Sequence, residues 1–139
     1  MVDTHIYTSS KGGISFRIAR IPKRNGQFRQ IYIPSKASGR RLRSLLPELE
    51  NILAGIGGSN WNYAFEKGKN CALNAFQHIG HRYTLSMDIH DFFDNVSDDH
   101  IKGIIPKHLV DQCFIQGRPR QGLPTSPLIA TIAFVACDK

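Results

Sequence analysis

Three aspartates lie close together in an otherwise basic chain. Asp88, Asp91 and Asp94 fall within seven residues of a protein whose formal net charge is +7. Carboxylates this close repel one another unless a cation joins them, and divalent metal ions prefer such oxygen ligands. The spacing therefore predicts a cation site, and an acidic turn that binds nothing is the alternative.

The stretch that must position these carboxylates is residues 83–89. Apolar side chains alternate there with polar ones, which is the period of a β-strand with one apolar face. The pattern predicts a strand that carries Asp88 on its polar face, at its end.

Basic residues are concentrated in the first third of the chain. No acidic residue lies between Thr4 and Pro47, where ten lysines and arginines fall. Such a block suits a polyphosphate partner, because each neutralised phosphate releases counterions, whereas a solvated face that only aids solubility is the alternative. The residues that we predict to contact nucleic acid here are Arg17, Arg20, Lys23, Arg24, Arg40, Arg41 and Arg43.

Composition excludes several other classes. The three cysteines are scattered and form no C-x-x-C pair, so neither a zinc site nor a disulfide framework is indicated, and a reducing, cytoplasmic setting is expected. No apolar run approaches the length of a membrane span, and no secretory signal pattern opens the sequence. We therefore expect no membrane partner.

Local patterns predict a hairpin and two helical regions in the first 80 residues. Two β-rich runs flank Asn25-Gly26, the strongest short signal of a hairpin, and Pro34 ends the second run. Leucines and isoleucines at helical spacing between residues 42 and 53 predict a helix that Pro47 must kink or divide. Another helix is expected over residues 69–79, with one apolar face and an end at Gly80.

Two more helices are predicted after the acidic stretch. Ser97 is the expected N-cap of a helix that holds Asp98 and Asp99 in its first turn and stops at Pro106. A loop follows. Pro127 then begins a helix over residues 128–136 that is apolar almost all round and must be buried. No repeat or linker indicates a second independent domain.

Four motifs resemble, in order, those of bacterial reverse transcriptases of the retron and group II intron type. They read R-Q-I-Y-I-P from Arg29, Y-A-F-E-K-G-K-N-C-A-L-N-A-F-Q-H-I-G from Tyr63, M-D-I-H-D-F-F-D from Met87 and Q-G-L-P-T-S-P from Gln121. The resemblance implies an α+β right-hand polymerase fold, with an antiparallel β-hairpin and packed helices. Residues 1–80 would form the fingers and residues 81–139 the early palm, with residues 97–118 returning to the fingers.

The resemblance also implies roles for the acidic stretch. Polymerases of this family use two metal ions, Mg²⁺ or in some cases Mn²⁺. Asp88 matches the first palm carboxylate, and the backbone carbonyl of Ile89 matches a further metal ligand. Asp91 matches a position near the triphosphate. Phe93 matches the bulky residue that packs against the sugar and excludes a 2′-hydroxyl, while Phe92 is expected to pack in the core.

Other matched positions are expected to bind nucleotide. Arg29, with Lys67 or Lys69 ahead of a helix, would grip the triphosphate. Gln121 and Gly122 match the pair beside the nascent base pair, where glycine permits close approach. The family usually has proline where this chain has Arg120. We interpret Arg120, together with Arg118, as extra phosphate contacts, and a surface loop is the alternative.

The function implied is RNA-directed DNA polymerisation, with an RNA template, a DNA or RNA primer and deoxynucleoside triphosphates as partners. In this family a Tyr-x-Asp-Asp motif follows the Gln-Gly motif, and none is found after Gln121. The Asp98-Asp99 pair lies before Gln121, so its order in the chain is wrong for that motif. The chain alone is therefore expected to be inactive. It would be part of a longer polymerase, a subunit completed by a second polypeptide, or a remnant. The main alternative is a non-catalytic module that binds RNA or RNA–DNA hybrid, and a general basic scaffold is a third. A mobile element and antiviral defence both remain open as the setting.

Overall fold

A β-hairpin dominates the N-terminal part of the computed structural model, which describes residues 4–9, 11–57, 62–64 and 68–135. Strands β1 (Tyr7–Thr8), β2 (Ser15–Pro22) and β3 (Phe28–Pro34) form an antiparallel sheet in the order β1-β2-β3. Gly26 has a φ of 80°, a conformation that glycine adopts without steric cost. The predicted hairpin is confirmed, while the two-residue strand β1 was too short to predict.

The apolar helical region is divided in two, as Pro47 predicts. Helix α1 (Lys36–Ser44) begins behind Ser35, whose side chain accepts a hydrogen bond from the Ser38 amide at 3.2 Å. Helix α2 (Leu46–Gly55) carries Pro47 in its first turn. Proline has no amide hydrogen, so deeper in a helix it would remove a backbone hydrogen bond. In the first turn the amide hydrogens have no partner within the helix, and proline fits there.

Helix α7 (Ser126–Val135) lies at the centre of the core. It packs against α2, α4 (Phe92–Asn95) and α5 (Asp98–Ile101). Ile129 and Ile132 are fully buried, so the predicted buried helix is confirmed, except that Ala136 lies outside the described residues. Together with the sheet, these helices make the predicted α+β class.

Residues 83–89 are not a strand, contrary to the alternation of their side chains. Tyr83, Leu85 and Met87 are 82%, 79% and 84% exposed, and the segment has no regular secondary structure. A strand is held by backbone hydrogen bonds to a neighbour. Among the described residues, none pairs with this segment, so the strand prediction is wrong for this structure.

Two helix predictions also need correction. Helix α3 (Cys71–Phe76) is shorter than predicted and buries no residue, with Phe76 63% exposed. Helix α5 ends at Ile101, and a further helix, α6 (Lys107–Cys113), occupies the predicted loop. Pro106 therefore precedes a helix instead of ending one, which suits proline because α6 needs no amide hydrogen there. None of the helices in the described ranges is long and apolar enough to cross a membrane.

Candidate functional site

An open cleft of about 680 Å³ lies between the β-hairpin and the acidic stretch. Residues of β3, among them Phe28, Gln30 and Tyr32, form one wall. The turn after residue 88 forms the opposite wall, and the loop before α7 closes the end. Nine of the predicted site residues line this cleft: Lys23, Arg29, Asp88, Ile89, Asp91, Phe93, Arg118, Arg120 and Gln121. The fold therefore brings three sequence-distant motifs to one place.

The three carboxylates of the acidic stretch have different surroundings. Asp91 Oδ1 lies 3.5 Å from Lys23 Nζ, and Asp91 Oδ2 lies 3.2 Å from His90 Nδ1. Asp94 Oδ1 lies 2.6 Å from Arg120 Nη1. Within the described part of the chain Asp88 makes no ion pair, so it is the carboxylate left available to a cation.

The donor set for a metal ion is only partly present. The Asp88 carboxylate and the Ile89 carbonyl are hard oxygen donors of the kind Mg²⁺ prefers, and both residues line the cleft. Across the described ranges, however, no three acidic, histidine or cysteine side chains converge into a group that could hold a metal ion. These residues can contribute to a metal site but do not complete one.

Asp91 also has an unusual backbone. Its φ of 46° and ψ of 47° lie in the left-handed region, which aspartate tolerates better than most residues other than glycine. Asp91 is the N-cap of α4, and Phe92 and Phe93 are the first two residues of that helix. Such backbone outliers concentrate at functional sites.

The two phenylalanines of α4 are both half-buried and both line the cleft, but their ring contacts differ. The Phe92 ring meets Phe134 of α7 edge-on, with centroids 5.9 Å apart, and packs against the core. Phe93 lines the cleft, and its ring centroid is 6.0 Å from that of Phe92. The contact with Phe134 agrees with the expected packing of Phe92 on the core, whereas the gating role of Phe93 stays a prediction.

Gln121 and Gly122 are held against β3. The Tyr32 amide donates a hydrogen bond to the Gln121 carbonyl at 2.8 Å. A Cβ atom at Gly122 would lie 2.5 Å from the Tyr32 carbonyl oxygen, and the φ of Gly122 is 103°. The close approach that requires glycine is thus made here by strand β3.

The remaining predicted residues do not line the cleft. Arg41 donates a hydrogen bond to the Gly12 carbonyl, and Lys69 lies 5.5 Å from the centre of the Tyr63 ring. Lys67 lies outside the described residues. The predicted residues that are described but are absent from the cleft lining are Arg17, Arg20, Arg24, Arg40, Arg41, Arg43, Lys69 and Gly122.

Sequence reasoning missed several cleft residues. Phe28, Gln30 and Tyr32 share one face of β3 and line the cleft, which the period of the predicted hairpin could have indicated. The ion pair between Asp94 and Arg120 joins residues that are 26 positions apart, so no local sequence pattern could predict it.

The two cysteines that the structure describes offer no nucleophile in the cleft. Cys113 is fully buried, and burial raises the pKa of its thiol to about 11. A thiol in this state is not ionised at neutral pH. Cys71 is exposed on α3, and neither residue lines the cleft.

Comparison with known proteins identifies relatives in one class of polymerase. No family model matches the chain. A reverse transcriptase from Escherichia coli, "Retron Ec86 reverse transcriptase", is 30% identical over 139 aligned positions, covering 91% of this chain and 41% of the relative. A second, "Retron Mx65 reverse transcriptase" from Myxococcus xanthus, is 29% identical over 86 positions, covering 61% of this chain and 19% of the relative.

Both relatives are reverse transcriptases. More particularly, both are of the retron type, which confirms the predicted resemblance to retron reverse transcriptases. The chain spans about two fifths of the length of the Escherichia coli relative.

Proposed function

We propose that this chain forms the fingers and early palm of an RNA-directed DNA polymerase, with residues 1–80 in the fingers and residues 81–139 in the palm. The observation that carries the proposal is the single cleft that gathers Arg29, Asp88 and Gln121 from three separate motifs. The retron reverse transcriptases to which the chain is similar support the same class of reaction.

The charged residues that line the cleft support this proposal. Lys23 and Arg29 stand on the hairpin wall and suit the triphosphate, while Asp88 and the Ile89 carbonyl stand opposite and suit Mg²⁺ or Mn²⁺. A metal ion held there would supply the charge stabilisation that phosphoryl transfer needs. Phe93 would pack under the sugar and Gln121 would lie beside the new base pair.

The partners of the complete enzyme would be an RNA template, a DNA or RNA primer and deoxynucleoside triphosphates. Because Asp88 is the one cleft carboxylate free of ion pairs among the described residues, a second group of carboxylates must complete the metal site. We propose that a segment bearing the Tyr-x-Asp-Asp motif supplies them, either in the same polypeptide or in a second one.

Primer extension tests this proposal. The 139-residue chain alone should extend no primer with Mg²⁺ or Mn²⁺, and extension should appear once the Tyr-x-Asp-Asp segment is supplied in cis or in trans. In the completed enzyme Asp88→Asn should abolish extension and leave RNA binding nearly intact, because the amide keeps the shape and loses the charge. Extension that survives Asp88→Asn would show that the metal site lies elsewhere.

A second candidate is a non-catalytic module that binds RNA or RNA–DNA hybrid. The Arg118 side chain favours it, because it lines the cleft, makes no ion pair among the described residues and suits a nucleic-acid phosphate without any metal ion. Hybrid binding without extension, even after the Tyr-x-Asp-Asp segment is supplied, would support this candidate over the polymerase.

A further inference from the structure

Arg120 holds several chain segments together through one side chain. Its Nε donates a hydrogen bond to the Ile115 carbonyl at 3.1 Å, and its Nη2 donates to Gln116 Oε1 at 3.1 Å. Its Nη1 donates to Asp94 Oδ1 at 2.6 Å, and the guanidinium carbon lies 5.4 Å from the centre of the Tyr32 ring. The side chain is only 16% exposed, so the planar fork of donors is largely used within the protein.

The backbone of Arg120 is anchored as well. Its carbonyl accepts a hydrogen bond from Ser126 Oγ at 2.7 Å, at the start of α7, and another from the Leu123 amide at 3.2 Å. The next residue, Gln121, accepts the hydrogen bond from Tyr32 in β3. The position of Gln121 in the cleft therefore depends on how Arg120 is held.

Asp94 connects the Arg120 side chain to helix α4, which follows the acidic turn of the cleft. It lies in α4 directly after Phe93, and both residues line the cleft. A short charge-assisted hydrogen bond is stronger and more directional than one between neutral groups. It therefore joins the loop that carries Gln121 to the helix that carries Phe93.

We propose that Arg120 is a positioning residue, which acts through Asp94 to set Gln121 and Phe93 relative to each other across the cleft. The assignment replaces the phosphate contact expected from the sequence, because moving the guanidinium to a phosphate would give up its hydrogen bonds to Ile115, Gln116 and Asp94. The catalytic meaning of this position rests on the proposed function, whereas the contact itself can be tested without it.

Arg118 provides a matched control. It lies two residues earlier in the same loop and lines the same cleft. Its side chain makes no hydrogen bond or ion pair within the described part of the protein, so its charge is available to a phosphate. An Arg→Lys change at either position keeps the charge, but a lysine cannot reproduce the separated donors of the arginine fork.

Amide hydrogen exchange in the 139-residue chain tests the contact. Arg120→Lys should speed exchange of the Tyr32 amide about tenfold, the effect of losing one charge-assisted hydrogen bond, and leave the Ile132 amide in α7 unchanged. Asp94→Asn should speed exchange of the Tyr32 amide by a similar factor. The double variant should exchange little faster than either single variant, because the two residues share one interaction. Arg118→Lys should change neither amide.

Two exchange results would overturn the proposal. One is an unchanged Tyr32 amide in Arg120→Lys. The other is equal acceleration at Tyr32 and Ile132, since this would indicate a general loss of stability.

Binding of an RNA–DNA hybrid across a salt series tests the positioning. We expect Arg120→Lys and Arg120→Gln to weaken binding by a similar factor, about tenfold, with an unchanged salt slope. A phosphate contact would instead tolerate lysine, and glutamine would lower the salt slope by about one; that result would overturn the proposal. If the unaltered chain bound no hybrid, the proposed function would fail, and the exchange experiment would still decide whether Arg120 holds the loop before α7 to helix α4.

Discussion

The three aspartates of the acidic stretch are separated in role by their neighbours. Asp91 and Asp94 meet Lys23 and Arg120, while Asp88 keeps its charge uncompensated within the described residues. A carboxylate beside a cation is already neutralised and attracts a metal ion less strongly. The surroundings thus single out Asp88 among the three, and its role as a metal ligand stays a prediction.

The neighbouring phenylalanines provide a test at the same scale. Phe92→Ala removes a ring that packs on Phe134, so it should lower the free energy of unfolding by up to about 3–5 kcal/mol, and less if the site relaxes. Phe93→Ala should cost less stability and, in a completed enzyme, should admit ribonucleotides. Denaturant melts and primer extension with each nucleotide type measure the two effects, and the opposite pattern would mean that the roles of the two rings are exchanged.

Among the elements, the loop before α7 is shaped by strand β3. The Tyr32 amide donates a hydrogen bond to the Gln121 carbonyl, and a Cβ atom added at Gly122 would lie 2.5 Å from the Tyr32 carbonyl oxygen. The loop therefore lies against β3 and connects the β-sheet to the buried helix α7. A side chain at Gly122 would force these two elements apart.

Gly122→Ala should consequently destabilise the protein by more than a left-handed backbone alone explains. The change combines a positive φ with a contact of 2.5 Å to backbone that cannot move freely. Gly103→Ala is the control, because Gly103 also has a positive φ of 78° and has open space around it. We expect about 1–2 kcal/mol for the control and a larger loss at Gly122, measured by urea unfolding. Equal losses would argue against the close packing.

Across the whole molecule, the basic block does not form one surface. Arg20 pairs across the hairpin with Gln30, on the face of β3 that also carries the cleft residues Phe28 and Tyr32. Arg17 pairs with Ile33 on the other face, where Arg29 near the turn is the β3 residue that reaches the cleft. Residues three apart on a strand point to opposite faces. The cleft side of the hairpin therefore carries only part of the charge that the sequence concentrates there.

This division predicts which arginine matters for nucleic acid. Arg20→Glu should weaken binding of RNA–DNA hybrid and lower the salt slope by about one or more, because it faces the cleft side. Arg17→Glu makes the same change of charge on the opposite face and should have the smaller effect. Fluorescence anisotropy over a salt series measures both, and equal effects would favour a diffuse electrostatic surface over the cleft.

Much of the local structure could be predicted because it depends on neighbours in sequence. Asn25-Gly26 suits a tight turn, Pro47 cannot continue a helix, and the apolar residues after Pro127 can only be buried. These features are confirmed in β2, β3, α1, α2 and α7. Of the sixteen residues that line the cleft, nine were predicted as site residues from the sequence, and six of these nine lie in the four motifs.

Only the tertiary structure decided what depends on partners distant in sequence. Residues 83–89 alternate like a strand, but a strand exists only where another segment supplies its hydrogen bonds, and no described segment does so. Likewise, only the fold places Asp94 beside Arg120 and the Tyr32 carbonyl beside Gly122, and no local pattern in the sequence indicates either neighbour. Periodicity reports which way a side chain points, whereas the fold determines what it meets there.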